Sequence, residues 1–131
     1  MQYKFPNELK YTFTHEWVKV ADQIATIGIT EYAQHRLGDI VFIELPAVGM
    51  IFEKESHVGD IESVKAVGDL IMPLSGEIID INKNLIDSPE LINTSPFGDG
   101  WILKIKISHP SEMENLLSVD DYKELVKSEG I

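Results

Sequence analysis

The richest stretch for chemistry is Gly59-Asp60-Ile61-Glu62-Ser63-Val64-Lys65-Ala66-Val67-Gly68-Asp69-Leu70-Ile71-Met72-Pro73-Leu74-Ser75-Gly76-Glu77-Ile78, with Lys65 near its centre. Lysine is uncommon among strong turn formers. A lysine placed between two glycine-aspartate steps and two strand-like runs therefore calls for a reason, and exposure at a hairpin tip supplies one. An ε-amine on a four-carbon stem can form an amide with a carboxylic acid, which neither a guanidinium nor a carboxylate does in that way. The plain alternative is a solvated lysine, the default state of this residue type.

Other chemistries find little support. The chain has no cysteine, hence no thiolate nucleophile, no disulfide framework and no cysteine-ligated metal. It has no glycine-rich phosphate loop, and its scattered Ser, His and Asp residues do not make a triad without geometry. His15 reads as a surface or sheet histidine, with no second histidine at metal-ligand spacing. A net charge of −11 argues against nucleic acid, whose phosphates need Lys and Arg. No apolar run approaches the roughly 20 residues of a membrane helix. The start, Met1 to Glu8, lacks a secretory apolar core and an arginine-rich transit character, so a cytoplasmic location is expected.

The elements that must position Lys65 are short. At 131 residues, 44% apolar and 25% charged, the chain suits one soluble domain spanning residues 1–131. Tyr11 to Val20 and Ile24 to Ile29 have the β-branched and aromatic richness of strands, with a turn at Ala21-Asp22-Gln23. Thr30, Glu31 and Gly38 suggest a capped helix of about two turns near 30–37. Asp39 to Leu45, with almost no polar break, predicts a strand buried on both faces. Met50 to Glu55 continues the sheet, and His57 to Asp60 leads into the Lys65 hairpin. Leu70 to Gly76 and Glu77 to Ile81 read as strands around a turn at Ser75-Gly76. The Pro- and Gly-rich segment 85–100 reads as a long connection before a half-exposed strand from Trp101 to Ile107. Ser111 to Glu114 and Ser118 to Asp121 fit capping boxes of two C-terminal helices within a tail of about 111–129, the second running to Gly130. Pattern alone gives a small antiparallel barrel or sandwich with helical additions.

Glu62-Ser63-Val64-Lys65-Ala66, followed by Pro73-Leu74-Ser75-Gly76-Glu77 and Asn82, resembles the lipoyl-attachment stretch of the glycine cleavage system H protein family. The similarity extends from about Tyr11 to Tyr122. It runs through Thr14-His15-Glu16-Trp17-Val18, Ile27 to Gln34, Leu37 to Phe42, Glu44-Leu45-Pro46, Pro89 to Asn93, and Gly100-Trp101. Co-linear blocks over most of a chain are far more specific than one lysine in a turn.

The resemblance implies a mainly β fold, a flattened lipoyl/biotinyl-type β-barrel of two antiparallel sheets, with lipoate in amide linkage on Lys65. It implies a monomeric, non-catalytic shuttle that serves a pyridoxal-phosphate (PLP) glycine decarboxylase, a tetrahydrofolate-dependent aminomethyltransferase and a dihydrolipoamide dehydrogenase, and is loaded by a lipoate-attaching enzyme. The family's arm cleft maps onto Thr14, Glu16 and Asp69, which strand and turn pattern alone would leave solvated. Glu62, three residues before the lysine, fits the family's modification motif. Trp17 and Trp101 read as core, and Asn93 and Pro96 as loop architecture. Gly68 stands where the family often has serine, and Ile71-Met72 where an aromatic or small polar pair often precedes the proline. Related uses of such a carrier are lipoyl relay, another lipoate-dependent complex, or sulfur carriage. A biotinyl carrier would usually have methionines where Val64 and Ala66 flank the lysine.

Overall fold

A computed structural model describes residues 3–129. Among these residues nine strands form two antiparallel sheets. They are β1 (Lys10–Tyr11), β2 (Glu16–Ala21), β3 (Ile24–Ile29), β4 (Ile40–Ile43), β5 (Ile51–Phe52), β6 (His57–Ser63), β7 (Val67–Ile71), β8 (Gly76–Ile81) and β9 (Leu103–Ile107). One sheet has the order β1-β2-β3-β9-β8-β5 and the other β4-β6-β7. Alternate residues point inward, so Ile27, Ile61, Leu74, Ile78 and Ile105 meet fully buried between the sheets. The mainly β architecture with two antiparallel sheets and short helices is the one the sequence led us to expect.

The segment read as one strand from Tyr11 to Val20 is two. Between β1 and β2 the chain turns at His15, whose φ of 71° is left-handed, and Thr12 N donates to Glu16 O at 3.1 Å across the turn. The turn from β2 to β3 needs only Asp22 and Gln23, because Ala21 and Ile24 already pair. Met50 to Glu55 yields just the two residues of β5, and Gly76 opens β8 instead of completing a turn. Gly76 is required there, since a Cβ would stand 2.5 Å from Lys106 O on β9.

Helix α1 (Glu31–Leu37) forms as read from sequence: Thr30 Oγ1 accepts from Ala33 N at 3.2 Å, and Gly38 N donates to Gln34 O at 2.9 Å. Strand β4 does not bury both faces. A register shift between Ile40 and Phe42 marks a bulge that leaves Ile40 and Ile43 in the core and turns Val41 and Phe42 outward.

The 85–100 connection holds two single-turn helices, α2 (Asn84–Asp87) and α3 (Leu91–Thr94). Pro110–Asn115 is a 3₁₀ helix without the expected capping box. Glu112 instead accepts from Ser75 N at 2.8 Å and Ser75 Oγ at 2.9 Å, pinning this segment to the β7–β8 connection. Helix α4 (Val119–Ser128) is capped by Ser118 Oγ, which accepts from Asp121 N at 3.1 Å. The end expected at Gly130 lies outside the described residues. Tyr11, Trp17, Tyr32, Tyr122 and Val126 form a second buried cluster under α4, with Tyr11 and Tyr122 stacked at 4.5 Å. Trp17 is core, whereas Trp101 is only half-buried beneath Lys104 Nζ. Among the described residues, no helix is long and apolar enough to cross a membrane.

Candidate functional site

Lys65 sits at the exposed tip between β6 and β7. The tip is built by Ser63. Its N–H donates to Ala66 O at 2.8 Å, and its hydroxyl accepts from Ala66 N at 3.0 Å and Lys65 N at 3.3 Å. Val64 N donates to Asp39 O at 3.0 Å, fastening the tip to the loop after α1. That loop is held in turn by Asn93, whose Oδ1 accepts from Ile40 N at 2.8 Å while Nδ2 donates to Gly38 O at 3.0 Å and Gln34 Oε1 at 2.7 Å. The stem of Lys65 lies over Gly38, where an added Cβ would stand 3.1 Å from Lys65 Cε. None of the ion pairs among the described residues involves Lys65.

Beside the tip, between α1 and the edge strand β7, lies a cleft of about 270 Å³ lined by Thr14, His15, Ile29, Leu37, Ile61 and Asp69, among others. Gly68 keeps this cleft narrow, because a Cβ there would come within 3.0 Å of Leu37 Cδ2. A serine at this position would push on Leu37. A second cleft of about 730 Å³ opens on the other side of Thr14, toward Met72, Pro73 and Leu116.

Of the residues assigned to the arm cleft, Thr14 is exposed on its wall and Glu16 lies directly behind it, fully buried. Glu16 Oε1 accepts from Thr12 Oγ1 at 2.7 Å and from Thr14 Oγ1, and Oε2 accepts from Ile71 N at 3.3 Å. The carboxyl therefore joins the start of β2 in one sheet to the end of β7 in the other. Burial pushes it up from an ordinary 4.5 to about 7, against the pull of the hydroxyls and the Ile71 N–H. Asp69 lines the opposite rim, but its carboxylate is exposed and stands 3.6 Å from His57 Nε2. His57 also pairs with Asp60 at 2.7 Å, and that hydrogen bond raises its basicity. Glu62 is half-buried, opposite Phe42 on β4 and Val67 on β7.

The turn that carries Thr14 and Glu16 is secured from α4. His15 Nδ1 and Tyr122 Oη lie 2.9 Å apart, and Tyr122 Oη and Thr30 Oγ1 2.6 Å apart. Glu129 Oε1 gathers His15 Nε2 at 3.1 Å, Arg36 Nη1 at 3.0 Å and Tyr32 Oη at 3.2 Å. Burial lowers the basicity of His15, with Glu129 opposing. Sequence reasoning read Gly38 only as the end of α1 and Ser63 only as a letter of the motif, and it had no role for Glu129. The Ser63 contact was signalled by its place two residues before Lys65, where a hydroxyl reaches following N–H groups. Glu129, 114 residues from His15, left no such signal.

This arrangement, an amine without an ion-pair partner among the described residues, at a stiff hairpin tip beside a narrow cleft backed by a protonatable carboxyl, lies within the segment matched by the sequence model described as "Glycine cleavage H-protein", residues 9–129. The chain belongs to the glycine cleavage H-protein family. It is 49% identical over 125 residues to a glycine cleavage system H protein of Carboxydothermus hydrogenoformans, covering 95% of this chain and 96% of that one. A second such protein, from Staphylococcus epidermidis, is 50% identical over 121 residues, covering 92% and 96%. The fold is similar to the crystal structure of a glycine cleavage system H protein from Mycobacterium marinum. There the TM-score is 0.81 at 34% identity, with 96% of this chain and 99% of that one covered.

Proposed function

We propose that the chain is a lipoyl carrier of the glycine cleavage system. It bears lipoate in amide linkage on Lys65 and moves the aminomethyl group of glycine from a PLP-dependent decarboxylase to a folate-dependent aminomethyltransferase. Dihydrolipoamide dehydrogenase and a lipoate-attaching enzyme complete its partners. The observation that carries this reading is the exposed Lys65 at the Ser63-braced tip, in a chain that matches the H-protein family over residues 9–129.

The residues fit the group. The bare backbone at Gly38 accommodates the Lys65 stem, and the adjoining cleft offers Ile29, Leu37 and Ile61 as apolar wall with Thr14 and Asp69 as polar rim. When bound, lipoate supplies a reducible sulfur pair that this cysteine-free chain lacks. The chain's own contribution is position. A tether on a rigid hairpin presents its cargo to each docked enzyme at high effective concentration. Thr14 offers its hydroxyl oxygen to a polar group entering the cleft, and the buried Glu16 behind it holds that hydroxyl in place by accepting from it. The chain acts as carrier, and its partners catalyse.

The test is the intact mass of protein from lipoate-competent cells beside the Lys65→Arg variant, followed by reconstituted glycine cleavage. A lipoyl increment and turnover with wild type, and neither with the variant, is the expected result. An unmodified wild type in the presence of an active ligase refutes the reading. A modified wild type that supports no glycine cleavage moves the carrier to another lipoate-dependent complex.

A further inference from the structure

The three-stranded sheet has an outer face that the core does not use. In register across it, Phe42 on β4 faces Glu62 on β6, which faces Val67 on β7. Directly opposed residues share a face, so these three form a row immediately below the Lys65 tip. Val41, brought out by the β4 bulge, and Val64, on the tip itself, extend the row. Val41 is 53% exposed, Phe42 52%, Val64 70% and Val67 62%. Bulges re-aim side chains beside functional sites, and here the shift between Ile40 and Phe42 turns two apolar residues outward in a strand whose other residues are core. An exposed apolar cluster rimmed by charge marks an interaction surface.

The rim is acidic. Asp60 and Asp69 are paired directly across β6 and β7, and Glu44 N donates to Asp60 O at 2.8 Å, placing a third acid at the same level of the sheet. Like charges set opposite one another are unfavourable. Only His57 offsets them, since no Lys or Arg among the described residues forms an ion pair with Glu44, Asp60, Glu62 or Asp69. The matching surface is therefore an apolar contact bordered by lysine and arginine.

We infer that this face, formed by Val41, Phe42, Val64 and Val67 around Glu62, docks the enzyme that acylates Lys65. Reach singles out that occupant. Acylation joins Nζ to the carbonyl carbon of an activated acyl group, a mixed anhydride or thioester, that the enzyme carries. The C–N bond forms as the bond to the departing oxygen or sulfur breaks, and the amine gives up a proton to the departing group. The enzyme must therefore bring its active site within one lysine side chain of the hairpin backbone, against the residues flanking Lys65. Enzymes that act on the far end of a loaded arm stand a whole arm's length further away. The inference rests on the lipoyl-carrier reading and deepens it.

The experiment measures kcat/KM for acylation of the unmodified protein by a lipoate-attaching ligase supplied with lipoic acid and ATP. The Phe42→Thr/Val67→Thr double variant places β-branched threonine, a good strand former, at both positions. It is expected to lose about tenfold or more, mainly through KM. Ile51→Thr, at a 74% exposed apolar residue on β5, serves as control and stays at the wild-type value. Raising the salt lowers kcat/KM for wild type, as charge steering requires. Non-enzymatic acylation of Lys65 by an activated ester proceeds equally in all three proteins, showing that the amine remains accessible, and equal urea midpoints show that the fold is intact. A double variant acylated by the ligase at the wild-type rate overturns the inference, as does an equal loss in Ile51→Thr. A wild type that no ligase acylates refutes the carrier reading itself, so the two failures are distinct.

Discussion

Replacing Glu16 with glutamine removes a titration from the interior without changing the shape of the side chain. The carboxyl is fully buried and titrates near 7 in place of its ordinary 4.5. Between those values the folded chain holds a proton that the unfolded chain has released. Stability conferred by the neutral form is thus complete below about pH 4.5, falls as pH rises toward 7, and is constant above that. A separation of this size corresponds to about 3 kcal/mol. The amide of Glu16→Gln titrates nowhere in this range. It can keep its oxygen on the Ile71 N–H and donate its NH₂ to the Thr12 and Thr14 hydroxyls, which accept as readily as they donate. The variant should match wild type within about 1 kcal/mol near pH 4.5 and exceed it by about 3 kcal/mol near pH 8. Urea unfolding of the unmodified proteins across that range measures the difference, in which all other titrations cancel. Carbon NMR of the glutamate carboxyls in wild type should show one resonance moving near pH 7. Parallel stability curves would refute the argument that burial outweighs the three hydrogen bonds.

Ser63→Ala removes the hydroxyl that accepts from Lys65 N and Ala66 N. A loss of about 1 kcal/mol in urea unfolding and slower enzymatic acylation of Lys65 are expected, because a frayed tip presents the amine less often. Gly59→Ala places a Cβ 2.1 Å from Glu44 O and so drives β4 from β6. It should cost about 3 kcal/mol or more in the same assay and broaden the amide signals of both strands.

Much of the fold was legible because it is local. The Thr30 cap, the turn expected at Ala21-Asp22-Gln23 and the Ser118 cap are each set by residues within four positions of one another, and each forms, the turn narrowed to Asp22-Gln23. What sequence concealed is non-local. The bulge at Val41 depends on the register of β4 against β6, so an unbroken apolar run read as doubly buried when half of it faces out. Ser111 to Glu114 has the letters of a capping box, yet Glu112 is drawn to Ser75, 37 residues away. At the candidate site, the Lys65 hairpin was legible from its turn chemistry. The burial of Glu16 was not, since an acid beside two threonines looks solvated until the His15 turn folds it under β7.

The place of β9 bears on how the chain is made. This strand, residues 103–107, lies in the middle of the six-stranded sheet, between β3 and β8, and supplies both with partners. A ribosome delivering residues in order therefore releases β3 and β8 with their facing edges open, and the sheet closes only when the last fifth of the chain emerges. Pairing across such separations places folding in the slow, high-contact-order regime. Nascent chains that stop at Gly100 expose two unpaired edges and are the species that chaperones must hold. The β6–β7 hairpin, closed by four residues, needs no such wait.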